Sequence, residues 1–430
     1  MRSILIWIHS ATNLDKKILK LKKCLDLKYE KVIFVSHDNG TCEYFKKKGL
    51  YIFSIEDKFA KFVDTNVLNY PDFYSKDINI NILNNIFLLG AYKKSFLPNH
   101  YKKIFKDPYS EFVLLVKFWN NVIQNYTVED VLILNGMSIA SFSLAYISSE
   151  KKLKFLFWEN GLLPNSLFFN EYGVNAFSKS NDKKEKEKII TLNSFEFNKK
   201  VNKLLDGKKR ILITLQVDND SNIKLFSQFF SNNDLISYVD ELISKQFNKA
   251  DLRFKVRKHP KSKLNLQKFI KNKKKFFISK NSSFLKDLES SDLVITINST
   301  TGLETIIRKK PLICFGNSFY SKYLKKVYIN HNGNKVMAFI YDPDDICLQE
   351  STKVMFDYLS DCSINNQSKD KENLGKLEKH LNYSLENNYF INFDNNIENI
   401  CLKKISYYDH EETSLLKKYT FLLRKIFKKF

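Results

Sequence analysis

Four short stretches of the sequence bring together side chains that could do chemistry. They are WENG (158–161), LQVDNDS (215–221), VRKHP (256–260) and NSTTGLET (298–305). Carboxylates such as those of the first two stretches can act as nucleophiles, acids or bases. Hydroxyls and backbone N–H groups at the start of a helix, as the last stretch offers, favour an anion and above all a phosphate. What they do depends on the elements that carry them.

The carboxylates of LQVDNDS are Asp218 and Asp220, and they follow the apolar strand RILIT. Aspartate is also an ordinary turn residue, so a simple turn explains the same letters. Two carboxylates at the tip of a strand are nevertheless natural catalytic candidates. Glu159 is the acid of the first stretch and ends the strand FLFW. Its alternative role is structural, with hydrogen bonds to the loop at 171–178.

The stretch NSTTGLET lies between the strand LVITI and a helix. Ser299, Thr300 and Thr301 could offer hydroxyls and backbone N–H groups to a phosphate. Glu304 lies one turn into the helix, where it could bind a ribose hydroxyl. A plain capping box of Thr301 and Glu304 explains the pattern equally well.

His259 stands at the end of the strand FKVR, beside Arg257 and Lys258. The proline that follows it favours an extended, loop-like backbone at the histidine. A histidine among cations suits a phosphate ligand. A His-Pro pair alone is weak evidence, and an ordinary loop is its simpler explanation.

These stretches are carried by short apolar runs that alternate with helical stretches, a pattern typical of parallel sheets covered on both faces. The pattern occurs twice and predicts two α/β lobes, with a cleft between them and ligands at the carboxyl ends of the strands. We place the lobes at 1–190, with a helical insertion at about 60–128, and at 200–365. A C-terminal helical segment follows at 366–430.

The composition limits the partners. The 430-residue chain carries a formal net charge of +23, which favours nucleic acid, an anionic membrane surface or an anionic substrate. The basic residues are dispersed among acids and no nucleic-acid-binding motif is present, so we expect no nucleic acid. The six cysteines are scattered without a CxxC motif, which indicates reduced thiols and no zinc site.

The end of the chain, SLLKKYTFLLRKIFKKF (414–430), has apolar residues at helical spacing and lysines or arginines between them. This pattern is typical of a helix that lies on a membrane surface. A helix packed on the protein body is the alternative. No run of the sequence approaches the ~20 apolar residues of a membrane span.

The order of the four stretches resembles the capsule-polysaccharide transferases of the KpsS/KpsC type, which are retaining β-Kdo transferases. The resemblance covers roughly residues 130–325 and extends from WENGLLPNSLFFNEYGVNAFS through LQVDNDS and KHP to NSTTGLET and KKPLICFGNSFY. It implies a GT-B-like fold of two Rossmann-type lobes with a central cleft and a C-terminal helical tail. It also implies the donor CMP-β-Kdo and a sugar or glycolipid acceptor made on the cytoplasmic face. With the basic amphipathic pattern of residues 414–430, we expect a cytoplasmic protein associated peripherally with the inner membrane through that segment. No cofactor and no metal are expected, since a CMP-sugar has no diphosphate to bridge.

The resemblance assigns roles to individual residues. Asp220 is the expected nucleophile of a double displacement, with Asp218 as the alternative, because retention of configuration requires two inversions. Glu159 is the base that activates the acceptor, or the acid that assists departure. The expected contacts to the donor are His259, Ser299, Thr300 and Thr301 at the phosphate, Glu304 at the ribose, and Gln216, Asn219, Ser221, Asn175 and Asn298 elsewhere.

Other functions fit parts of the same pattern. A sialyltransferase-like CMP-sugar enzyme would also use a His-Pro motif and a Ser/Thr phosphate site. A basic nucleic-acid-binding protein and a non-catalytic membrane scaffold are the alternatives from other classes. Donor choice separates the two enzymes, and the sequence does not fix it.

Overall fold

A computed structural model describes residues 2–8, 15–66, 108–163, 165–174, 190–205, 207, 210–217, 220–244, 252–365 and 368–386. The described chain forms two compact α/β units. The first unit holds the described residues up to Val174 and those from Leu359 onward, and the second runs from Ile190 to Tyr358. Residues 387–430, which include the basic segment 414–430, and the middle of the expected helical insertion lie outside the described residues.

The first unit is built on a seven-stranded sheet in the order β15-β6-β5-β4-β1-β2-β3. Its strands are β1 (Ser3–Ile8), β2 (Lys31–Ser36), β3 (Ile52–Ser54), β4 (Asp130–Leu134), β5 (Lys154–Asn160), β6 (Ser166–Asn170) and β15 (Ser363–Asn365). The strands β1 to β5 run parallel, and β6 and β15 add antiparallel pairs at one edge. Every residue of β1 is buried, as expected of a central parallel strand covered on both faces.

Six helices within the described residues accompany this sheet. They are α1 (Asp15–Leu25), α2 (Asn39–Lys46), α3 (Ile55–Asn66), α4 (Pro108–Asn125), α5 (Ile139–Glu150) and α13 (Asp370–Glu386). The helix α13 packs on β5 and α1, so the first part of the segment expected to stand apart after residue 365 belongs to the first unit.

The second unit has an eight-stranded sheet in the order β10-β9-β8-β11-β12-β14-β13-β7. Its strands are β7 (Ile190–Asn193), β8 (Arg210–Thr214), β9 (Arg253–Arg257), β10 (Phe276–Ile278), β11 (Leu293–Thr296), β12 (Leu312–Cys314), β13 (Lys325–His331) and β14 (Asn334–Tyr341). The five strands β10, β9, β8, β11 and β12 are parallel, and β14 pairs with β12 and β13 antiparallel.

Short helices connect these strands. They are α6 (Ser194–Leu205), α7 (Ser221–Phe226), α8 (Asn232–Val239), α9 (Leu266–Ile270), α10 (Phe284–Glu289), α11 (Thr301–Ile307) and α12 (Ile346–Asp361). A π-helical turn over Asp240–Ser244 extends α8. The apolar core of this unit comes from the sheet and its covering helices, with Phe197, Ile213, Ile295 and Phe315 all completely buried.

The strand order reverses once in the parallel part of each sheet. In the second unit the chain moves outward from β8 through β9 to β10, and then returns to the other side of β8 with β11 and β12. The reversal point is therefore between β8 and β11, where the following loops diverge and leave a crevice for a ligand. In the first unit the same reversal falls between β1 and β4.

The expected fold of two Rossmann-like α/β units is confirmed. The predicted strands FLFW, RILIT and FKVR lie within β5, β8 and β9, and β11 contains all but the last residue of LVITI. Among the described residues, no helix is long and apolar enough to cross a lipid bilayer.

Candidate active site

The predicted donor-binding stretches of the second unit meet at one edge of its sheet. The strands β9, β8 and β11 are hydrogen-bonded neighbours and run parallel, so the loops that follow them leave from the same edge. These loops carry His259, residues 215–217 with Asp220, and residues 298–300. The last two leave from the strands that flank the reversal point, which is the expected place for a ligand in this architecture.

Asp220 is described, and it begins a helix. Its carboxylate accepts a hydrogen bond from the backbone N–H of Asn222 at 2.9 Å, and so caps α7. The other carboxylate oxygen lies 3.5 Å from the side-chain nitrogen Nε2 of Gln216. Asp220 therefore has the structural role that its sequence context also allowed. Its carboxylate is still partly exposed, at the edge of the sheet where a ligand is expected.

Gln216 is held in place by a second loop. Its backbone N–H donates to Oδ1 of Asn232 at 3.1 Å, and its carbonyl accepts from Nδ2 of the same asparagine at 3.0 Å. The side chain is only 4% exposed, and its Oε1 has no hydrogen-bond partner in the part of the chain that the structure describes. A buried acceptor of this kind requires a donor from water or ligand.

The capping-box interpretation of the turn after β11 is wrong. The cap residue of α11 is Thr300, in helical backbone geometry, and its side chain makes no cap hydrogen bond. The hydroxyl of Thr301 instead contacts the hydroxyl of Thr214, at the end of β8, at 2.7 Å. The two strands at the reversal point are thus joined at the level of the expected phosphate site.

Asn298 joins three loops, which the sequence did not reveal. Its Nδ2 donates to the carbonyl oxygen of Asn222 in α7 at 2.9 Å and to that of Asn317, after β12, at 3.0 Å. Because both partners are carbonyls, the nitrogen of this amide is unambiguous, and Oδ1 remains buried without a partner among the described residues. The structure therefore gives Asn298 a bracing role next to Asp220.

His259 has a defined tautomer. Its Nδ1 accepts a hydrogen bond from the backbone N–H of Lys261 at 3.1 Å. A neutral imidazole that accepts at one nitrogen carries its proton on the other, so Nε2 is a donor. A donor at the end of β9 has the polarity that a phosphate oxygen requires.

Beside His259, the loops after β9 and β10 enclose a cleft of about 530 Å³. Its lining includes Lys258, Lys263, Leu264, Ile278 and Asn281, and it contains no acidic residue. The volume is within the ordinary range of small-molecule sites.

Glu304 lies in the first turn of α11 and is half-buried. Burial raises the pKa of its carboxyl group, and the nearby Arg308 guanidinium opposes the shift only in part. The site thus holds a second carboxylate whose environment differs from that of Asp220.

Glu159 belongs to the first unit and lies within β5, one residue before its end, opposite Phe168 of β6. Lys17 of α1 holds the next residue, since its Nζ lies 2.5 Å from Oδ1 of Asn160 and 3.1 Å from the carbonyl oxygen of Ser166. A Cβ added to Gly161 would lie 2.6 Å from backbone atoms of Ser166, so only glycine fits this tight β5–β6 turn.

The stretch that contains Glu159 has a second acid, Glu171, which the sequence did not single out. Its carboxylate is buried against Nδ1 of His380 in α13. Burial favours the neutral imidazole, but interactions with Cys362 and Glu171 outweigh it and raise the pKa of His380 to about 10. This pair holds α13 against the end of β6.

Several predicted residues lie outside this description. Asp218, Asn219 and Asn175 are not among the described residues, and of Ser221 only the backbone, as the first residue of α7, is described. Within the described part of the chain, histidine, cysteine and acidic side chains form no group of three that could hold a metal ion.

Residues 185–323 match the model of the family described as capsule polysaccharide biosynthesis protein. No curated protein matches the chain.

Solved structures give distant likenesses. KpsC, a β-Kdo 2,7 transferase from Thermosulfurimonas dismutans, is 17% identical over 57% of this chain and 89% of its own, with a TM-score of 0.35. The S. aureus MnaA–UDP structure is 11% identical over 90% and 97%, with a TM-score of 0.34. The glycosyltransferase SnogD from Streptomyces nogalater is 12% identical over 88% and 99%, with a TM-score of 0.33. At these values the likenesses do not bear on activity.

The family match spans about a third of the chain and includes LQVDNDS, KHP and NSTTGLET, the three stretches that meet at one edge of the second sheet. Over residues 185–323, this chain therefore matches the capsule polysaccharide biosynthesis proteins, the group that its sequence motifs resemble.

Proposed function

We propose that this protein is a retaining glycosyltransferase that moves Kdo from CMP-β-Kdo to a sugar or glycolipid acceptor in the synthesis of a bacterial surface polysaccharide, capsule or lipopolysaccharide. The observation that carries the proposal is the gathering of Asp220, His259 and the turn Ser299–Thr301 at the carboxyl edge of β9, β8 and β11. A carboxylate next to an anion-binding edge is what a glycosyl phosphate donor requires. The family match over the same residues supports it.

In the proposed first step, the carboxylate of Asp220 attacks the anomeric carbon of Kdo. The bond to the phosphate oxygen breaks, CMP departs, and Kdo is held as an ester of the aspartate. In the second step an acceptor hydroxyl attacks the same carbon, loses its proton to a base, and releases the carboxylate. Two inversions give net retention.

The phosphate of CMP-β-Kdo is assigned to the hydrogen-bond donors at this edge of the sheet. The Nε2–H of His259 and the hydroxyls of Ser299, Thr300 and Thr301 are proposed to hold the single phosphate. Glu304 is proposed to accept a hydrogen bond from a ribose hydroxyl. The cleft beside His259 is proposed to receive the cytosine base, since its volume of about 530 Å³ and its apolar wall at Leu264 and Ile278 suit a flat ring.

The remaining assignments rest on the resemblance of the sequence motifs. Glu159 is proposed as the base that activates the acceptor, because a carboxylate is the usual partner of a hydroxyl nucleophile in glycosyl transfer. Gln216, Asn219, Ser221 and Asn175 are proposed to contact the sugar, and Asp218 is the alternative nucleophile. No cofactor takes part in the proposed reaction.

The test is intact-protein mass spectrometry with freshly generated CMP-Kdo and no acceptor. Asp220→Asn is the sharpest variant, because asparagine caps a helix as well as aspartate but is a poor nucleophile. We expect one added Kdo on the wild type and on Asp218→Ala, and none on Asp220→Asn. Asp234→Asn, in the first turn of α8, is the matched control because its carboxylate also accepts backbone hydrogen bonds at the start of a helix, from Phe230 and Ser231. It should retain the adduct.

Two outcomes would contradict the proposal in different ways. An adduct that persists in Asp220→Asn but is lost in Asp218→Ala would transfer the nucleophile role to Asp218. A wild type that neither binds nor consumes CMP-Kdo, but does consume CMP-sialic acid, would establish the sialyltransferase-like alternative instead.

We also propose that residues 414–430 bind the anionic surface of the inner membrane. The support is the sequence pattern, in which six lysines and arginines separate apolar residues at helical spacing. Full-length protein should sediment with vesicles that contain anionic lipid and not with neutral vesicles. Replacement of the six basic residues of the segment by glutamine should abolish the difference, and unchanged sedimentation would refute the assignment.

A further inference from the structure

The segment Gly316–Ser321, which follows β12, contacts both loops of the proposed donor site. The backbone N–H of Asn317 donates to the carbonyl oxygen of Phe226, at the end of α7, at 2.7 Å. The hydroxyl of Tyr320 donates to the carbonyl oxygen of Ser299 at 2.6 Å. One short segment thus touches the helix that Asp220 begins and the turn proposed to hold the phosphate.

Tyr320 is completely enclosed. Its side chain is 1% exposed, and its hydroxyl lies 3.8 Å from the sulfur of Cys314. Burial raises the pKa of this phenol well above its ordinary value, so the hydroxyl keeps its proton and acts as a donor. The phenol end lies against Gly302, where an added Cβ would be 2.3 Å from the tyrosine oxygen.

The segment itself is rigid. Ser318 and Ser321 bond each other reciprocally, with backbone N–H to hydroxyl distances of 2.9 and 3.1 Å, and both are buried. The carbonyl oxygen of Ser299 accepts from Tyr320 and also from the backbone N–H of Gly302 at 2.9 Å. The orientation of this peptide group is therefore set by a fixed phenol on one side and by the first turn of α11 on the other.

We propose that Tyr320 is a positioning residue that sets the phosphate affinity of the site by fixing the Ser299 peptide. It makes no contact with the ligand. Loss of its hydroxyl leaves the carbonyl of Ser299 with one donor fewer, so the turn samples orientations in which its hydroxyls and N–H groups no longer converge. The inference rests on the proposed function, which places the phosphate at Ser299–Thr301.

The test compares Tyr320→Phe with Tyr323→Phe. Tyr323 is equally buried three residues later and contacts the ring of Phe319, so the control removes a phenol hydroxyl close to the segment and keeps the hydrogen bond from Tyr320 to Ser299. In calorimetric titration with CMP, Tyr320→Phe should weaken binding roughly tenfold, the loss expected for one hydrogen bond. A purely structural defect would lower the binding stoichiometry and leave the Kd of the folded fraction unchanged.

Amide hydrogen exchange provides a second readout that needs no ligand. The N–H of Gly302 should exchange several-fold faster in Tyr320→Phe than in the wild type or in Tyr323→Phe. Equal exchange at Gly302 in all three proteins, or equal CMP affinity in the two variants, would overturn the inference. Failure of the proposed function is seen separately, as the absence of a Kdo adduct on the wild type.

Discussion

Gly302 in the first turn of α11 offers a test of the packing at the proposed phosphate site. We expect Gly302→Ala to destabilise the second unit, although alanine is the better helix former. A Cβ at this position would lie 2.3 Å from the oxygen of Tyr320, 2.5 Å from its Cζ and 2.9 Å from its Cε2. These distances are below any real carbon contact, so the buried phenol ring must move.

The magnitude follows from three contributions. Overpacking of a well-packed interior costs about 1–3 kcal/mol. Displacement of the ring also breaks the hydrogen bond from Tyr320 to Ser299, a net loss of about 0.5–1.5 kcal/mol. The helix propensity of alanine offsets about 0.5–1 kcal/mol of this. With the middle of each range, the free energy of unfolding should therefore fall by about 2 kcal/mol.

Urea unfolding is the assay, and Gly375→Ala is the matched control. Gly375 lies in α13, and an added Cβ there would meet no atom within 4 Å. Its replacement should raise the free energy of unfolding by about 0.5–1 kcal/mol through helix propensity alone. With a urea dependence of about 2 kcal/mol per molar, Gly302→Ala should lower the midpoint by about 1 M.

The two glycine substitutions are expected to change the free energy of unfolding in opposite directions, and this difference tests the packing at Gly302. A midpoint for Gly302→Ala at or above that of the wild type would show that the phenol has room to give, and the tight Gly302–Tyr320 contact would be refuted. A lowered midpoint with unchanged CMP affinity would keep the contact and separate it from ligand binding.

Three further substitutions have defined outcomes. Because interactions with Glu171 and Cys362 raise the pKa of His380 to about 10, the stabilisation from this group is complete below pH 6.5 and is lost as the pH rises from 6.5 to 10. Glu171→Gln should reduce this pH dependence in urea titrations at several pH values. It should also lower the free energy of unfolding by about 3 kcal/mol at pH 7. Asp287 is buried, yet hydrogen bonds from neighbouring side chains lower its pKa, so its contribution is present above about pH 4 and is lost at lower pH. Asp287→Asn should remove that acid dependence, and unchanged acid unfolding would contradict it. Gly161→Ala should lower the melting temperature by several degrees, because its Cβ would meet backbone atoms.

The parallel core of both sheets could be predicted from the sequence, because buried parallel strands appear as short, continuous apolar runs. The strand SILIWI and the run LVIT are examples, and both are completely buried. The placement of Asp220, His259 and Ser299 at one edge of the second sheet was predictable for the same reason, since polar residues that end such runs lie at the carboxyl ends of parallel strands.

The antiparallel additions were missed, and the physical reason differs from strand to strand. β15 has only three residues, and its partner β6 lies almost 200 residues away along the chain, at Ser363↔Phe168. Local pattern does not encode such a contact. The hairpin of β13 and β14 did have a local signal, because Asn332 and Gly333 both adopt positive φ, as an Asn-Gly turn of type I′ requires.

The hydrogen bonds that hold the loops of the site in place could also not be predicted from the local sequence. Asn232, Asn317 and Tyr320 hold the site through contacts to residues far away in sequence, such as Asn232 to Gln216 and Tyr320 to Ser299. Asparagine and tyrosine in loops have many uses, and only the fold determines which carbonyl they meet.

The helix-capping role of Asp220 is compatible with the proposed chemistry and gives it a direction. Hydrogen bonds from Asn222 and Gln216 engage both carboxylate oxygens, so each oxygen has one lone pair fewer for attack in the first step. In a double displacement, however, the same carboxylate is the leaving group of the second step, and there the two donors stabilise the charge that develops on it. The same two hydrogen-bond donors thus slow the formation of the ester and accelerate its breakdown. The ester should accumulate only when no acceptor is present, which is why the mass experiment omits the acceptor.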